Sequence, residues 1–229
     1  MIYGIVSDIH GNLRALDSVL RAFEKRGVDR IICLGDMIGY YHQSSEVIAR
    51  LMSAKAKCLM GNHEAYLLGL LEVTSEKRQV CLLDQVKESV SESQYAWLSS
   101  LSKALEIGID GGTFGFFHGS PWDPLEEYVY ENSTKWSSFT RLPYDHVFLG
   151  HTHQQMLKQV GDVTIINPGS CGQPRNGDMK ACAATFDTGK SQVKLVSVRY
   201  DVKSFLREAR TADVSERALS KLEECVKTK

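Results

Sequence analysis

The chain has 229 residues, with 27 basic against 28 acidic side chains and a formal net charge of −1. That balance excludes the global positive field that holds a protein on nucleic acid without sequence preference, so no bulk nucleic-acid binding is expected. A hydrophobic content of 43% with only 5 prolines excludes a disordered or low-complexity chain. The length fits one large domain better than a linear array, so 1–229 reads as a single domain.

The first residues, Met1 to Asp8, lack the basic and long apolar regions of a signal peptide and read as a strand from the second residue. No apolar run approaches the roughly 18 residues of a membrane span. The six cysteines (Cys33, Cys58, Cys81, Cys171, Cys182 and Cys225) form no CxxC pair. A cytoplasmic protein without disulfides or a cysteine zinc site is expected.

The first 60 residues alternate. Ile2 to Ser7 is an apolar run, and Asn12 can cap a helix carrying Leu13, Leu16, Val19, Leu20 and Phe23, which Gly27 stops. Arg30 to Leu34 is a second run, Ser44 to Ala54 a second helix with Val47, Ile48, Leu51 and Met52 on one stripe, and Ala56 to Met60 a third strand. Such alternation predicts parallel strands with right-handed crossovers. From Glu64 to about Leu101 the pattern is mostly helical.

Beyond Leu101 the texture changes to short strands and turns. The runs are Ala104 to Ile109, Thr113 to Phe117, His146 to Leu149, Gln155 to Val160, Val163 to Ile166, Ala181 to Phe186 and Val193 to Val198. This half reads as a meander of strands and hairpins. An aromatic-rich insertion, about 120–145, lies within it, and amphipathic helices from Val202 to Arg210 and from Ser215 to Val226 close the chain. The economical architecture is a two-sheet α/β sandwich.

Chemistry gathers at the strand ends. Asp8-Ile9-His10, Gly35-Asp36, Gly61-Asn62-His63-Glu64, His118-Gly119 and Gly150-His151-Thr152-His153 each follow an apolar run, where open α/β sheets collect ligands. Five of the seven histidines sit at these termini. An i, i+2 pair leaving a strand points both side chains the same way, so Asp8 with His10, and His151 with His153, would each form a clamp. The carboxylates, the amide and the imidazoles make a donor set too large for one metal and suited to two. Asp36, alone at the end of the central strand, is the expected bridge.

The ordered pattern DxH, GD, GNH[DE], a lone H and GHxH resembles the calcineurin-like metallophosphoesterases over nearly the whole chain, and Asn167-Pro168-Gly169-Ser170 resembles their bacterial branch. The resemblance implies an α/β/β/α sandwich and a metal-dependent phosphoesterase. By it, one metal would be held by Asp8, His10, Asp36 and His153, and the other by Asp36, Asn62, His118 and His151. His63, a non-ligand in the family, would face the leaving group as the catalytic acid. Oxygen and imidazole donors suit Mn first, with Fe or Zn as alternatives.

One departure bears on substrate. Protein phosphatases of this superfamily carry an arginine after GD, whereas this chain reads Gly35-Asp36-Met37-Ile38-Gly39-Tyr40. A small or nucleotide-type phosphodiester is therefore the expected substrate, with a phosphomonoester or nucleotide pyrophosphate as the alternative. The retromer subunit that keeps this fold as a scaffold has lost the histidine that His63 retains, which disfavours a metal-binding adaptor. Glu64 would orient His63 or complement a helix N-terminus. Arg175 would offer a fork to phosphate or remain a solvated loop residue. Trp122 and its aromatic neighbours would stack on a flat substituent or form a satellite core. His42 and His146 read as surface or packing residues, and an oligomer through the last helix is a second option after packing on the parent sandwich.

Overall fold

The computed structural model describes residues 1–109 and 111–224. The elements β1 (Ile2–Val6), α1 (Leu13–Glu24), β2 (Arg30–Cys33), α2 (Ser44–Ser53) and β3 (Lys57–Cys58) follow the predicted alternation, and the three strands run parallel. The Asn12 side chain accepts from the Ala15 amide at 3.1 Å, capping α1. The helix buries Ala15, Leu16, Val19, Leu20 and Phe23. β3 is shorter than the Ala56–Met60 run because beyond Cys58 the backbone turns to Ser102, whose carbonyl receives the Met60 amide.

The helical stretch contains α3 (Asn62–Leu67), α4 (Ser75–Val80), α5 (Leu83–Ser89) and α6 (Glu92–Ser99). There follow β4 (Ala104–Ile109), β5 (Gly112–Phe117), α7 (Trp136–Phe139), β6 (His146–Phe148), β7 (Gln155–Val160) and β8 (Val163–Pro168). The remaining elements are β9 (Ala181–Asp187), β10 (Gln192–Val198), α8 (Val202–Thr211) and α9 (Glu216–Glu224). Cys225 and Val226, included in the predicted last helix, lie outside the described residues.

Two five-stranded sheets form, in the orders β10-β9-β1-β2-β3 and β4-β5-β6-β8-β7. The second half is thus no simple meander: β5, β6 and β8 are parallel neighbours, while β9 and β10 return to the first sheet. That return corrects the expected placement of Asp36. Antiparallel β9 on the far side of β1 makes β1 the centre, so Asp8 leaves the central strand and Asp36 leaves its neighbour.

Strand alternation sorts the apolar residues into layers. Ile5, Ile32 and Leu34 meet Phe114, Phe116, Phe148, Ile166 and Phe186 between the sheets, whereas Val6 and Cys33 face α1 and α2. The outer face of the second sheet is covered by the 120–145 segment, whose Val129 and Phe139 pack on Val147, Leu149 and Ile165. The terminal helices bury Phe205, Ala218, Leu219 and Leu222 against Tyr41 and Leu82. The apolar stripe of α9 is therefore used within the chain, beside the loops that leave β2.

Candidate metal centre

The loops that leave β1, β2, β5 and β6 meet at one end of the sandwich. Asp8, His10, Asp36, His151 and His153 all have φ between 52° and 66°. Non-glycine residues in this left-handed region cost roughly 1–2 kcal/mol each, and their clustering marks a site where surrounding contacts impose strain. The residues of each pair converge because the chain coils here, not because of the strand pleat invoked from sequence. The imposing contacts are backbone bonds between loops: the Ile9 and His10 amides donate to the Asp36 carbonyl, and the Cys171 and Gly172 amides to the Ser7 and Asp8 carbonyls. The Asn167-Pro168-Gly169-Ser170 stretch braces the same loops. Asn167 Nδ2 donates to the Gly150 carbonyl and the Thr152 hydroxyl, and the Ser170 hydroxyl to the Asp8 carbonyl. At Gly61 a Cβ would stand 2.2 Å from Asp36 Oδ1, so this close approach requires glycine.

Among the described residues three groups of donor atoms result: Asp8 with His10 and His153, His10 with Asp36 and His63, and Asp36 with His118 and His151. Asp36 Oδ2 stands 3.8 Å from His10 Nε2, 3.8 Å from His63 Nε2 and 3.5 Å from His118 Nε2. Its other oxygen accepts the His63 backbone N–H at 2.9 Å, which fixes the carboxylate plane. Asp8 Oδ1 is buried without a hydrogen-bond partner, 3.3 Å from His153 Nε2. Asn62 Oδ1 lies 2.9 Å from His118 Nε2, which is also 3.0 Å from His151 Nδ1.

The tautomers test whether cations fit. Nδ1 of His10, His118 and His153 lies 3.2, 3.2 and 2.8 Å from the carbonyl oxygens of Ile38, Leu34 and Gln173. A carbonyl only accepts, so each Nδ1 carries the proton and each Nε2 presents a lone pair. Yet His10 Nε2 faces His153 Nε2 at 3.1 Å, and His118 Nε2 faces an amide oxygen. Lone pairs converging at this range repel unless a cation lies among them, and a carbonyl on the far nitrogen is how ligating imidazoles are oriented.

Charge points the same way. Burial, with the neighbouring His63 and His153, drives His10 well below its ordinary value, and burial with His118 pushes His151 down to about 2. Neutral imidazoles are the ligating form. Burial beside the Glu64 and Asp8 carboxylates pushes Asp36 well up. Burial raises Asp8 too, but His153, His118 and His10 outweigh it and hold that carboxyl low. The charged forms of Asp36, His10 and His151 are thus each disfavoured in the empty cluster, and a positive ion among these donors would stabilise the Asp36 carboxylate.

Glu64 has a different task from orienting the His63 ring. Its oxygens accept from the amides of Asp36 at 2.9 Å, Met37 at 2.8 Å, Ile38 at 3.2 Å and Gly61 at 2.8 Å. The residue thus closes the first turn of α3 and holds the loop that presents Asp36. Glu64→Ala would leave these buried N–H groups unpaired. A stability loss of about 3–5 kcal/mol is expected, measured by denaturant unfolding. A loss under about 1 kcal/mol would show that water replaces the carboxylate.

The remaining expected site residues are spread around this centre. Arg175 donates its backbone N–H to the His153 carbonyl and its guanidinium to Gln173 Oε1, while its Nε is buried without a partner. Trp122 packs edge-on against buried Phe139, with its outer side exposed. The aromatic rings on the cluster itself are Tyr128, stacked 3.7 Å from His151, and Tyr40, 4.6 Å from His10 and 4.8 Å from His63. Tyr41 belongs to the core, donating to the Ala218 carbonyl. Sequence reading passed over Lys77, whose charge is second only to burial in depressing His63, and Cys81, with its Sγ 3.8 Å from His63 Nε2. Neither adjoins a motif. His42 stacks on Phe205, and His146 packs between Phe114 and Phe186.

The chain has relatives in sequence and in fold. An uncharacterized protein of Methanocaldococcus jannaschii, MJ0912, is 31% identical over 218 residues, covering 87% of this chain and 88% of its own. Phosphodiesterase MJ0936 of the same archaeon is 24% identical over 173 residues, covering 75% and 84%. Among solved structures, a metallophosphoesterase from Sphaerobacter thermophilus superimposes with a TM-score of 0.83 at 26% identity, covering 98% of this chain and 100% of that one. The profile of the calcineurin-like phosphoesterase superfamily domain matches residues 1–191, so the chain belongs to that superfamily of metal-dependent phosphoester hydrolases.

Proposed function

We propose that the chain is a two-metal phosphodiesterase acting on a small or nucleotide-type ester. One observation carries the two-metal reading: Asp36 Oδ2 stands between the imidazoles of both donor groups, 3.8 Å from His10 and 3.5 Å from His118. Asp8, His10, Asp36 and His153 would hold one ion, and Asp36, Asn62, His118 and His151 the other. Mn is the first choice and Fe or Zn the alternatives, since the donors are oxygen and imidazole without thiolate. Bound there, two ions offset charge on the phosphoryl oxygens and lower the pKa of an attacking water.

The chain's own residues do the rest. The Leu34, Ile38 and Gln173 carbonyls hold three rings in the ligating tautomer. His63 turns Nε2 toward Asp36 while its Nδ1 is buried without a partner, so the ring sits beside the centre. There it would hydrogen-bond or protonate the leaving oxygen. Tyr40 and Tyr128 pack against the imidazoles on two sides of the centre. The stacked pair Tyr128 and Tyr130, both exposed in part, offers a flat surface to an aromatic or nucleoside substituent, with Trp122 as a further contact.

A diester fits because a relative named as a phosphodiesterase aligns over 75% of this chain and because no arginine follows Asp36 to receive a monoester dianion. With Mn, bis-p-nitrophenyl phosphate is expected to give a higher kcat/KM than p-nitrophenyl phosphate. Tyr128→Ala and Trp122→Ala are each expected to weaken nucleotide diesters roughly tenfold, the worth of one stacked base, and small diesters less. A clear monoester preference insensitive to both changes would overturn the substrate reading. Metal binding without turnover of any ester would overturn the enzymatic one.

A further inference from the structure

Behind Tyr40 and Cys81 lies a cavity of about 430 Å³, within the usual range for ligand sites. Its walls adjoin the candidate centre on the His63 side. Tyr40 packs on His10 and His63, Cys81 stands 3.8 Å from His63 Nε2, and the Gln173 carbonyl holds His153. Four cations, Lys77, Arg175, Arg217 and Lys221, and one carboxylate, Glu76, line it among the described residues. Glu76 is taken up by Arg217 at 2.7 Å. Lys77 lies over the Tyr66 ring at 4.4 Å and donates to its hydroxyl at 2.6 Å, so its ammonium is held in place. The buried Arg175 Nε has no hydrogen-bond partner among the described residues. The cations come from three parts of the chain, α4, the loop after Ser170 and α9, and α9 is placed there by its apolar stripe on Tyr41 and Leu82.

We infer that this cavity receives a further phosphate on the leaving portion of the substrate, making the favoured bond a phosphoanhydride or a diester whose departing half is itself a phosphate ester. The inference rests on the proposed hydrolase reading, with His63 on the leaving side. Water oxygen bonds the attacked phosphorus, the electron pair of the broken P–O bond stays on the bridging oxygen, and a water proton passes to solvent. The departing phosphate is then stabilised by Lys77, Arg175 and Arg217. A departing half without a phosphate, such as p-nitrophenolate, brings no second phosphoryl group to these residues.

The test compares bis-p-nitrophenyl phosphate with a dinucleoside diphosphate and a dinucleoside tetraphosphate, and measures ADP binding by titration calorimetry. The double variant Lys77→Met, Arg217→Met keeps the aliphatic stems and removes two charges. It should lower the kcat/KM ratio of either anhydride to bis-p-nitrophenyl phosphate at least about tenfold, and weaken ADP binding by a similar factor, as lost charge-assisted bonds would. Lys77→Arg, Arg217→Lys should restore both. If the double variant turns over bis-p-nitrophenyl phosphate while the ratio and ADP binding match the wild type, the phosphate subsite is overturned and the hydrolase stands. If no substrate is turned over by the wild type, yet ADP binding still depends on the two charges, the hydrolase reading fails and the subsite stands.

Discussion

Asp36→Asn is expected to lower phosphodiester hydrolysis by at least about 10³-fold, on the scale of removing charge stabilisation from the transition state. The substituted amide can still present Oδ1 to the His63 backbone N–H, which accepts no charge and requires none. What disappears is the negative charge on the oxygen that faces His10, His63 and His118 at once. Because that oxygen serves both donor groups, metal content should fall from near two per chain to one or fewer. His153→Gln, which touches one group only, should cost less activity and leave one ion bound. Chelation should abolish hydrolysis, and Mn should restore it in the wild type but not in Asp36→Asn. Full activity in rigorously metal-free protein would sink the two-metal reading.

His63→Gln separates catalysis from metal binding. Turnover is expected to fall on the order of 10² to 10⁴, the usual worth of a general acid, while metal stoichiometry stays near two. The fall should be smaller for p-nitrophenolate, a good leaving group needing little protonation, than for an alkoxide leaving group. Burial, Lys77, His118 and His153 drive the ring well below its ordinary value, so the free protein favours its neutral form, which would assist the leaving oxygen through an N–H. Equal losses for good and poor leaving groups would assign His63 to positioning. Loss of an ion in His63→Gln would make it a ligand, contrary to the family pattern.

The fold was legible where local signals agree. Asn12 before a clean helical stripe produced the capped α1, and the two-residue turn at Gly161-Asp162 produced the β7–β8 hairpin, with Val160 paired to Val163. The order of strands was not legible. Nothing within Ala181–Asp187 says that this strand pairs with β1, a partner some 180 residues earlier, rather than with its neighbour β8. Only the competition between two apolar sheet faces for one interlayer core decides that, and it is what displaced Asp36 from the central strand.

The donor residues of the centre stand in the sequence as motifs because each must follow a strand end, and a strand end is a local feature. The backbone shape that joins them is not local. Asp8, His10, Asp36, His151 and His153 adopt left-handed conformations that their own preferences oppose, and loops distant in sequence hold them there through bonds such as Gly172 N–H to the Asp8 carbonyl. Glu64 shows the same division. Its place in the first turn of a helix could be read from Gly61-Asn62-His63-Glu64, but its grip on the Asp36 loop could not. By itself the sequence indicated most of the elements, the candidate donors and the family. Which cations surround His63, which rings wall the centre and which oxygen lies between both donor groups were decided by tertiary packing, since those contacts join residues that share no periodicity and no motif.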